Sequence, residues 1–225
     1  MDIGVDPRED ITLPGVSTLL LSWIRQRRVR ALWLGTPCGS WSLARRGHPG
    51  APGGPLRSRE FIYGLEESLS RPIDAAKIRA GNITMWFSCQ LIRAAKRMHV
   101  PIGIENPASS RIWHAPPMAH LLKSANVQAI TDFCQHGTAY RKRTQVYVWG
   151  GVDQDALHLK CSGRGKCSRT GRPHLILQGV DPVSRRLRTE LANPYPKSFA
   201  RACALALMSA IDGAEIACLV RCGCG

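Results

Sequence analysis

Helical segments alternate with short apolar runs along the first half of the chain, and this alternation restricts the fold more than any other feature. Apolar side chains recur at spacings of three and four over residues 16–28, which predicts an amphipathic helix. Residues 31–34 follow as a short apolar run typical of a buried strand. The same order returns at residues 77–98 and 100–104. Alternation of this kind predicts an α/β fold built on a parallel sheet.

Further elements are predicted downstream of these two units. They are a helix at 118–124, strands at 129–133 and 145–149, a short strand at 175–177 and a last helix at 194–212. Residues 45–55 are rich in glycine and proline and predict a long loop. Because this loop directly follows a candidate site, we expect it to cover that site.

The chain is strongly basic, with 31 Lys+Arg against 16 Asp+Glu and a formal charge of +15. This excess favours a polyanionic partner, nucleic acid first, over a basic protein without such a role. A hydrophobic content of 44% excludes a disordered chain. Nine cysteines without a signal peptide or membrane-spanning run predict reduced thiols, a nuclear or cytoplasmic location and no membrane partner. Cys89 and Cys203 fall on apolar helix faces, which predicts core positions.

Reactive side chains follow three of the predicted strands. Cys38 lies just after the first strand, and Glu105 ends the second. The basic cluster at residues 141–143 lies in the loop after the third. Since the carboxyl ends of parallel strands share one edge of a sheet, we expect these groups to converge. A thiol, a carboxyl group and a cation suit covalent attack on an electron-poor ring.

Four motifs occur in order along the chain, in the context of the predicted strands and loops. Residues 36–42, Thr-Pro-Cys-Gly-Ser-Trp-Ser, resemble a nucleophile loop Pro-Cys-Gln-x-Phe-Ser. Residues 81–82 with their helix, and then residues 101–107, resemble a helix and strand that end in Glu-Asn-Val. Residues 134–143 resemble the loop Tyr-Gly-x-Pro-Gln-x-Arg-x-Arg, and residues 9–11 resemble Gly-Asp-Ile. Together the four motifs resemble those of DNA cytosine-5 methyltransferases, in a divergent form like those of mobile elements and some protist genomes.

The resemblance implies a three-layer Rossmann-like methyltransferase fold and cytosine-5 methylation of DNA with S-adenosylmethionine. We expect the protein to be a monomer. Cys38 is implied to attack C6 of a cytosine flipped out of the duplex. Glu105 is implied to hydrogen-bond or protonate N3 of that ring. Arg141 or Arg143 is implied to orient the base near its O2. Lys142 is an alternative, because this loop is one residue out of step with the family's spacing.

Cofactor and substrate contacts also follow from the resemblance. Asp10 is implied to meet the adenine of S-adenosylmethionine, Asp2 to stand for the acid that holds its ribose, and Pro37 to contact the cofactor from the nucleophile loop. The implied substrate contacts are Ser40, Asn106 and Lys142. The segment Pro194-Tyr195-Pro196 and its helix are expected to take over the packing of a C-terminal family motif that this sequence lacks.

The sequence departs from the family pattern in several places. Gly39 and Trp41 replace a glutamine and a phenylalanine, and Pro107 replaces a valine. The Phe-x-Gly-x-Gly loop that holds the methionine end of the cofactor does not occur in the expected strand-to-helix context. We therefore expect a methyltransferase domain that is incomplete at its N-terminus and transfers methyl groups poorly. The expected division is a partial catalytic core at 1–150, an irregular segment at 151–192, and a helix with a cysteine-rich tail at 193–225.

Two alternative functions remain open at this point. One is a catalytically inactive DNA-binding relic of such an enzyme, which the lack of the glycine loop favours. The other is an RNA cytosine-5 methyltransferase, because the same cysteine chemistry serves RNA bases. An amino-group methyltransferase fits less well, since Asn106-Pro107 follows the wrong strand for the loop Asn-Pro-Pro-Tyr.

A second candidate site lies in the irregular segment. Cys161, Cys167 and His174 are the ligand types of a zinc site, and the fourth ligand is Cys134, His136 or His158. The alternative is a basic loop with incidental thiols. This stretch falls where the family places its target-recognition region. The cations then expected to meet phosphates are Arg164, Lys166, Arg169 and Arg172.

Overall fold

A four-stranded mixed sheet forms the centre of the computed structural model, which describes residues 8, 10–43, 53–183, 185 and 187–222. The strands are β1 (Leu32–Gly35), β2 (Ile102–Pro107), β3 (Val127–Asp132) and β4 (Arg143–Trp149), in the spatial order β1-β2-β4-β3. β1 and β2 are parallel, whereas β4 is antiparallel to both of its neighbours. The predicted α/β class is confirmed, and β4 makes the sheet mixed where the sequence pattern indicated parallel strands.

The direction of β3 preserves the expected meeting of strand ends. Because β4 is antiparallel to both β2 and β3, β3 runs in the same direction as β1 and β2. The carboxyl ends of β1, β2 and β3 therefore lie at one edge, called the carboxyl edge below. Gly35 pairs with Glu105 at this edge, and Asp132 pairs with Arg143 at the start of β4.

The described residues form five α-helices. These are α1 (Pro14–Arg25), α2 (Glu66–Leu69), α3 (Pro72–Arg97), α4 (Pro116–Leu122) and α5 (Lys197–Cys222). α1, α3 and α4 begin with proline, which suits the first helical turn because its N–H would have no intrahelical partner. In the part of the chain that the structure describes, no helix combines the length and apolar character needed to cross a membrane.

Apolar side chains pack on both faces of the sheet. On one face, Tyr147 and Trp149 of β4 join a core with α1, α3 and α4. On the other face, Val146 and Val148 join a core with α5 that contains Phe199. Successive strand residues point to opposite faces, so burial on both sides requires the nearly continuous apolar runs seen in the sequence.

Element bounds differ from the predicted ones at several points. α3 begins at Pro72, five positions before the predicted start at 77. Residues 175–177 were predicted as a strand, and this prediction is wrong. Leu175 makes an isolated bridge to Tyr140, and the pairing does not continue at Ile176, which is 67% exposed. Most of the predicted loop at 45–55 lies outside the described residues.

Candidate active site and metal centre

Cys38 lies at the carboxyl edge, in the loop that follows β1. Its carbonyl oxygen accepts hydrogen bonds from the N–H groups of Trp41 and Ser42 at 2.9 and 2.8 Å, which closes a tight turn. Asn106, on the neighbouring strand, donates from Nδ2 to the carbonyl oxygen of Thr36 at 2.6 Å. The half-buried thiol is therefore held against the end of β2.

Glu105 lies beside this loop on β2. The residue is 6% exposed, and Oε1 accepts a hydrogen bond from the hydroxyl of Tyr195 at 2.8 Å. Oε2 is buried and has no hydrogen-bond partner among the described residues. Burial raises the pKa of Glu105, although the Lys142 charge and the Tyr195 hydrogen bond oppose the rise. A buried carboxyl group with a raised pKa and one open oxygen is suited to deliver a proton to a bound ligand.

Tyr195 positions the Glu105 carboxyl group from the segment just before α5. Its hydroxyl also accepts a hydrogen bond from Nε1 of Trp33 at 3.3 Å. Gly35 leaves the room for this hydroxyl, because a Cβ there would lie 2.7 Å from it. Sequence reasoning expected only a packing role for this segment. The hydrogen bond between Tyr195 and Glu105 joins residues far apart in the chain, so no local sequence pattern predicts it.

The three cations that precede or begin β4 have different partners. Arg141 and Arg143 form ion pairs with the buried Asp132 at 3.3 and 2.8 Å. Nζ of Lys142 instead donates to the carbonyl oxygen of Ala192 at 3.2 Å and lies 4.9 Å from the centre of the Phe133 ring. Its charge lowers the pKa of Cys38 and of Glu105. Of the three cations implied for the base, the two arginines are therefore held on Asp132, and Lys142 is the one whose charge acts on the thiol and the carboxyl group.

The electrostatics of Cys38 define what the free site can do. Burial raises the pKa of the Cys38 thiol, the Lys142 charge opposes this rise, and the Glu105 charge adds to it. The thiol is therefore the resting form near neutral pH. A ring bound between Cys38 and Glu105 can accept the sulfur on one atom and the carboxyl proton on another. Thiolate addition of this kind is the chemistry that the three groups support together.

A buried arginine holds the turn that contains Ser40. Arg57 is 2% exposed and donates to the carbonyl and hydroxyl oxygens of Ser40 at 3.1 and 3.0 Å. Its guanidinium also lies 3.6 Å from the centre of the Trp41 ring. Other acceptors are the carbonyl oxygens of Ile62 and Ile78 and Oδ1 of Asn82. Burial lowers the pKa of Arg57 to about 10. The Ser40 hydroxyl, implied to contact substrate, is thus engaged by Arg57, whose role no motif indicated.

Gly81 of α3 makes this arrangement possible. A Cβ at Gly81 would overlap the hydroxyl oxygen of Ser40 and lie 2.9 Å from Nη2 of Arg57. Glycine in a helix interior costs about 1 kcal/mol relative to alanine, so it usually has a packing reason. Here the reason is the close approach of the nucleophile loop to α3.

The residues implied to bind a cofactor have separate roles in the structure. Oδ1 of Asp10 accepts the N–H of Thr12 at 2.8 Å, in the turn that leads into α1. Pro37 is exposed on the nucleophile loop. Asp2 lies outside the described residues. Asn106, implied to contact substrate, uses Nδ2 for the nucleophile loop, and its buried Oδ1 has no partner among the described residues.

Three cysteines and one histidine form a second cluster, next to the carboxyl edge. The ligand atoms of Cys134, Cys161, Cys167 and His174 all lie within 4.8 Å of one another, and the three cysteines are buried. Sγ of Cys161 is 3.6 Å from Nε2 of His174. All three cysteines are free thiols. These four side chains can hold a metal ion.

The sequence left three candidates for the fourth ligand, and the structure brings Cys134 into the cluster. Both ring nitrogens of His136 face hydroxyl groups, with Nε2 at 2.6 Å from the hydroxyl oxygen of Thr131. His158 pairs with Asp153 at 2.8 Å on the surface. Both histidines are therefore engaged elsewhere.

Hydrogen-bond donors surround two of the clustered thiols. Burial raises the pKa of Cys161, but the hydroxyl and N–H of Ser168 and the N–H of Gly163 outweigh it and bring it to about 6. Burial also raises the pKa of Cys167, but hydrogen bonds from the N–H groups of Arg169 and Thr170 outweigh it and bring the pKa to about 7. For Cys134 burial dominates and raises the pKa to about 12. A bound cation deprotonates a coordinating thiol outright.

Cys89 and Cys203 are buried, at 0% and 4% exposure, as their places on apolar helix faces predicted. Burial raises the pKa of Cys89 to about 11, which leaves it a protonated core side chain. Among the described cysteines, Cys38 is thus set apart by its partial exposure at the carboxyl edge.

The chain matches no protein-family model, no curated protein and no solved structure in comparisons with all three. Its function is therefore inferred from the residues at the carboxyl edge themselves.

Proposed function

We propose that the protein acts on cytosine bases of DNA by the covalent chemistry of cytosine-5 methylation, with Cys38 as the nucleophile. The observation that carries this proposal is the grouping of Cys38, Glu105 and Lys142 at the carboxyl edge. Asn106, next to Glu105 on β2, ties the loop of Cys38 to that strand by a hydrogen bond of 2.6 Å, and the Lys142 charge acts on both other groups. The formal charge of +15 supports a polyanionic substrate.

Each group has a separate task in the addition step. The thiolate sulfur of Cys38 forms a bond to C6 of the cytosine, and the ring electrons move towards N3 as Glu105 gives its proton to that atom. Before attack, the Cys38 thiol gives its proton to solvent water, and the Lys142 charge stabilises the thiolate that results. The addition makes C5 electron-rich, which is the condition for methylation there. Reversal breaks the S–C6 bond and returns the proton from N3 to Glu105.

The partners of Glu105 fit this task. Tyr195 occupies Oε1, so Oε2 is the oxygen left to face the base. Because it is buried, the Glu105 carboxyl group stays protonated to a higher pH than the carboxyl group of an exposed glutamate. N3 of the base then faces a proton donor. Asn106 ties the nucleophile loop to the same strand, which fixes the sulfur relative to that donor.

S-adenosylmethionine would supply the methyl group when bound. The described residues do not fit a cradle for it, because the turn before α1 uses Oδ1 of Asp10 and Pro37 is exposed. This observation favours a second candidate function, a DNA-binding protein derived from such an enzyme that retains the base site and transfers no methyl group.

We also infer that the metal ion of the Cys/His cluster is Zn²⁺. Three thiolates and one imidazole are a common ligand set of structural zinc sites, which have four protein ligands and no open position. In this proposal the ion takes no part in the chemistry at Cys38.

Two modified bases separate the candidate functions. A duplex that contains 2-pyrimidinone in place of cytosine traps an attacking thiolate without methyl transfer. A duplex with 5-fluorocytosine is trapped only after methyl transfer, because fluorine replaces the proton that elimination must remove. We expect mass spectrometry to locate the 2-pyrimidinone adduct on Cys38. An adduct with 5-fluorocytosine and S-adenosylmethionine identifies an active methyltransferase. A protein that forms the 2-pyrimidinone adduct but not the 5-fluorocytosine adduct is the inactive DNA-binding form.

Matched variants complete this test. Cys38→Ser is expected to abolish the adduct, whereas Cys89→Ala, which removes a buried thiol of α3, is expected to keep it. An RNA strand with the same modified base tests the RNA alternative. A folded protein that forms no Cys38 adduct with any of these probes would contradict the proposed function.

A further inference from the structure

The basic segment, residues 161–174, has almost no apolar core. Its buried side chains are those of Cys161 and Cys167. The remaining residues include four cations and no carboxylate. The apolar cluster that these cysteines join consists only of them and Cys134 among the described residues. Contacts between three thiols cannot offset the conformational entropy of ordering a segment of this length. Another interaction must hold it in place.

The geometry of the cluster points to a tetrahedral ion as that interaction. Zinc bonds of about 2.3 Å to sulfur and about 2.0 Å to nitrogen, at a tetrahedral angle, separate the two ligand atoms by about 3.5 Å. Sγ of Cys161 and Nε2 of His174 are 3.6 Å apart. The chain between the ligands turns tightly, since the N–H of Cys167 donates to the carbonyl oxygen of Arg172 at 2.7 Å. Gly163 lies so close to the carbonyl oxygen of Lys166 that a Cβ would overlap it.

The same segment is bonded to the carboxyl edge. The N–H of Cys161 donates to Oδ2 of Asp132 at 2.8 Å, and Nη2 of Arg141 donates to the carbonyl oxygen of Cys161 at 3.1 Å. Nε of Arg169 donates to the carbonyl oxygen of Cys134 at 2.7 Å. The cluster therefore joins the basic segment to the end of β3.

We propose that Zn²⁺ at this cluster folds the basic segment onto the end of β3 and so builds the surface that binds the DNA backbone beside the target cytosine. This inference rests on the proposed function, because it takes DNA as the partner. The exposed cations that would contact phosphates are Arg164, Lys166 and Arg172. Without the ion these cations are attached to a disordered loop, and ordering that loop on DNA then opposes binding.

Metal content is the first measurement. We expect protein purified without chelator to contain equimolar zinc, and its cobalt-substituted form to show the intense visible bands of a tetrahedral site with thiolate ligands. His174→Ala is expected to lose the zinc, whereas His158→Ala, which removes a histidine outside the cluster, is expected to retain it. Protein without zinc whose cluster cysteines form a disulfide would overturn the proposal.

DNA affinity is the second measurement, by anisotropy of a labelled duplex at several salt concentrations. His174→Ala or zinc removal is expected to weaken DNA binding at least ~10-fold. The slope of the logarithm of affinity against the logarithm of salt concentration should fall in magnitude by up to about 3, because three phosphate contacts are lost. Amide exchange is expected to accelerate within residues 161–174. A variant with Arg164→Gln, Lys166→Gln and Arg172→Gln should lose the same affinity and keep its zinc, which separates the lost charges from misfolding.

The outcomes distinguish this inference from the function on which it rests. If the His174→Ala protein loses zinc but binds DNA with unchanged affinity and salt slope, the inference is wrong. The Cys38 adduct with 2-pyrimidinone DNA would in that case still support the proposed function. If wild-type protein forms no Cys38 adduct while zinc still controls DNA affinity, the proposed chemistry is wrong and the metal-dependent surface stands.

Discussion

The hydroxyl of Tyr195 donates a hydrogen bond of 2.8 Å to Oε1 of Glu105 across 90 residues of chain. This bond lowers the pKa of Glu105, while burial raises it by more. It also assigns the two carboxyl oxygens different roles, because Oε1 is engaged and Oε2 has no partner in the described structure. Tyr195 thus links the segment before α5 to the Glu105 carboxyl group on β2.

Tyr195→Phe is expected to shift the pH dependence of Cys38 adduct formation. Loss of the hydrogen bond removes an interaction that lowers the pKa of Glu105, so the pKa rises further and the alkaline decline in rate moves to higher pH. We expect an adduct rate about 10-fold lower, because Glu105 loses its positioning, and a loss of about 1 kcal/mol in the free energy of unfolding.

Tyr140→Phe is the matched control for that variant. Tyr140 is a buried tyrosine whose hydroxyl donates to the carbonyl oxygen of Leu191 at 3.1 Å, away from Glu105. It is expected to lose similar stability and to leave the pH profile unchanged. If the adduct rate of Tyr195→Phe declines at the same alkaline pH as that of the wild type, Tyr195 does not act on Glu105.

Glu105→Gln is expected to abolish adduct formation and to stabilise the protein increasingly as pH rises. The raised pKa means that folded Glu105 holds its proton where the unfolded chain has released it. Wild-type stability is therefore greatest below the ordinary glutamate pKa and falls as pH rises through the folded value. Thermal unfolding at about pH 5 and about pH 8 measures the difference. The exposed Glu60→Gln controls for loss of charge, and an equal gain at both pH values would contradict the expectation.

Gly81→Ala is expected to destabilise the protein by about 1–3 kcal/mol, although alanine is the better helix former. The added methyl group would overlap the Ser40 hydroxyl and push on Arg57, so the adduct rate should fall as well. Gly15→Ala in α1 is the control, because nothing lies within 4 Å of its Cβ position. It should be neutral or stabilising by up to about 1 kcal/mol. Urea unfolding compares the two variants, and equal effects would rule out the packing explanation.

Arg57→Met is expected to cost about 3 kcal/mol of unfolding free energy and to disorder the nucleophile loop. The substitution keeps the apolar stem and leaves the acceptors on Ser40 and Asn82 without their donor. Arg59→Met, an exposed arginine two positions away, should change stability by less than about 0.5 kcal/mol. Denaturant unfolding and exchange of the Trp41 N–H measure both effects. An Arg57→Met protein as stable as wild type would show that the buried guanidinium makes no net contribution to the free energy of unfolding.

Local patterns predicted much of the secondary structure, with Cys38 in the loop after β1 and Glu105 near the end of β2. The spacing of apolar residues indicated α1 and α3, and the two strands that end near Cys38 and Glu105 follow from short apolar runs. Such runs carry no direction, however. The antiparallel β4 was therefore not predicted, although β3 still delivers the loop before Lys142 to the same edge.

Non-local pairings account for what the sequence did not reveal. Arg57 lies in a stretch whose glycines and prolines predicted only a loop, yet its side chain is buried against Ser40. The fourth cluster ligand depended on the path of the chain after β3, which the spacing of cysteines does not specify. In both cases the partner is chosen by tertiary packing.

The insertion of β4 between β2 and β3 has a consequence for the order of folding. β3 and β4 form an antiparallel pair joined by residues 133–142, so their pairing closes a short loop and is expected to occur early. β2 must then dock on the open side of that hairpin, and β1 joins β2 across the whole length of α3. Cys38 follows β1, Glu105 lies on β2, and Lys142 lies in the loop between β3 and β4, so each residue joins the sheet at a different step. In the proposed function, these three groups are therefore expected to form one site only once all four strands have paired.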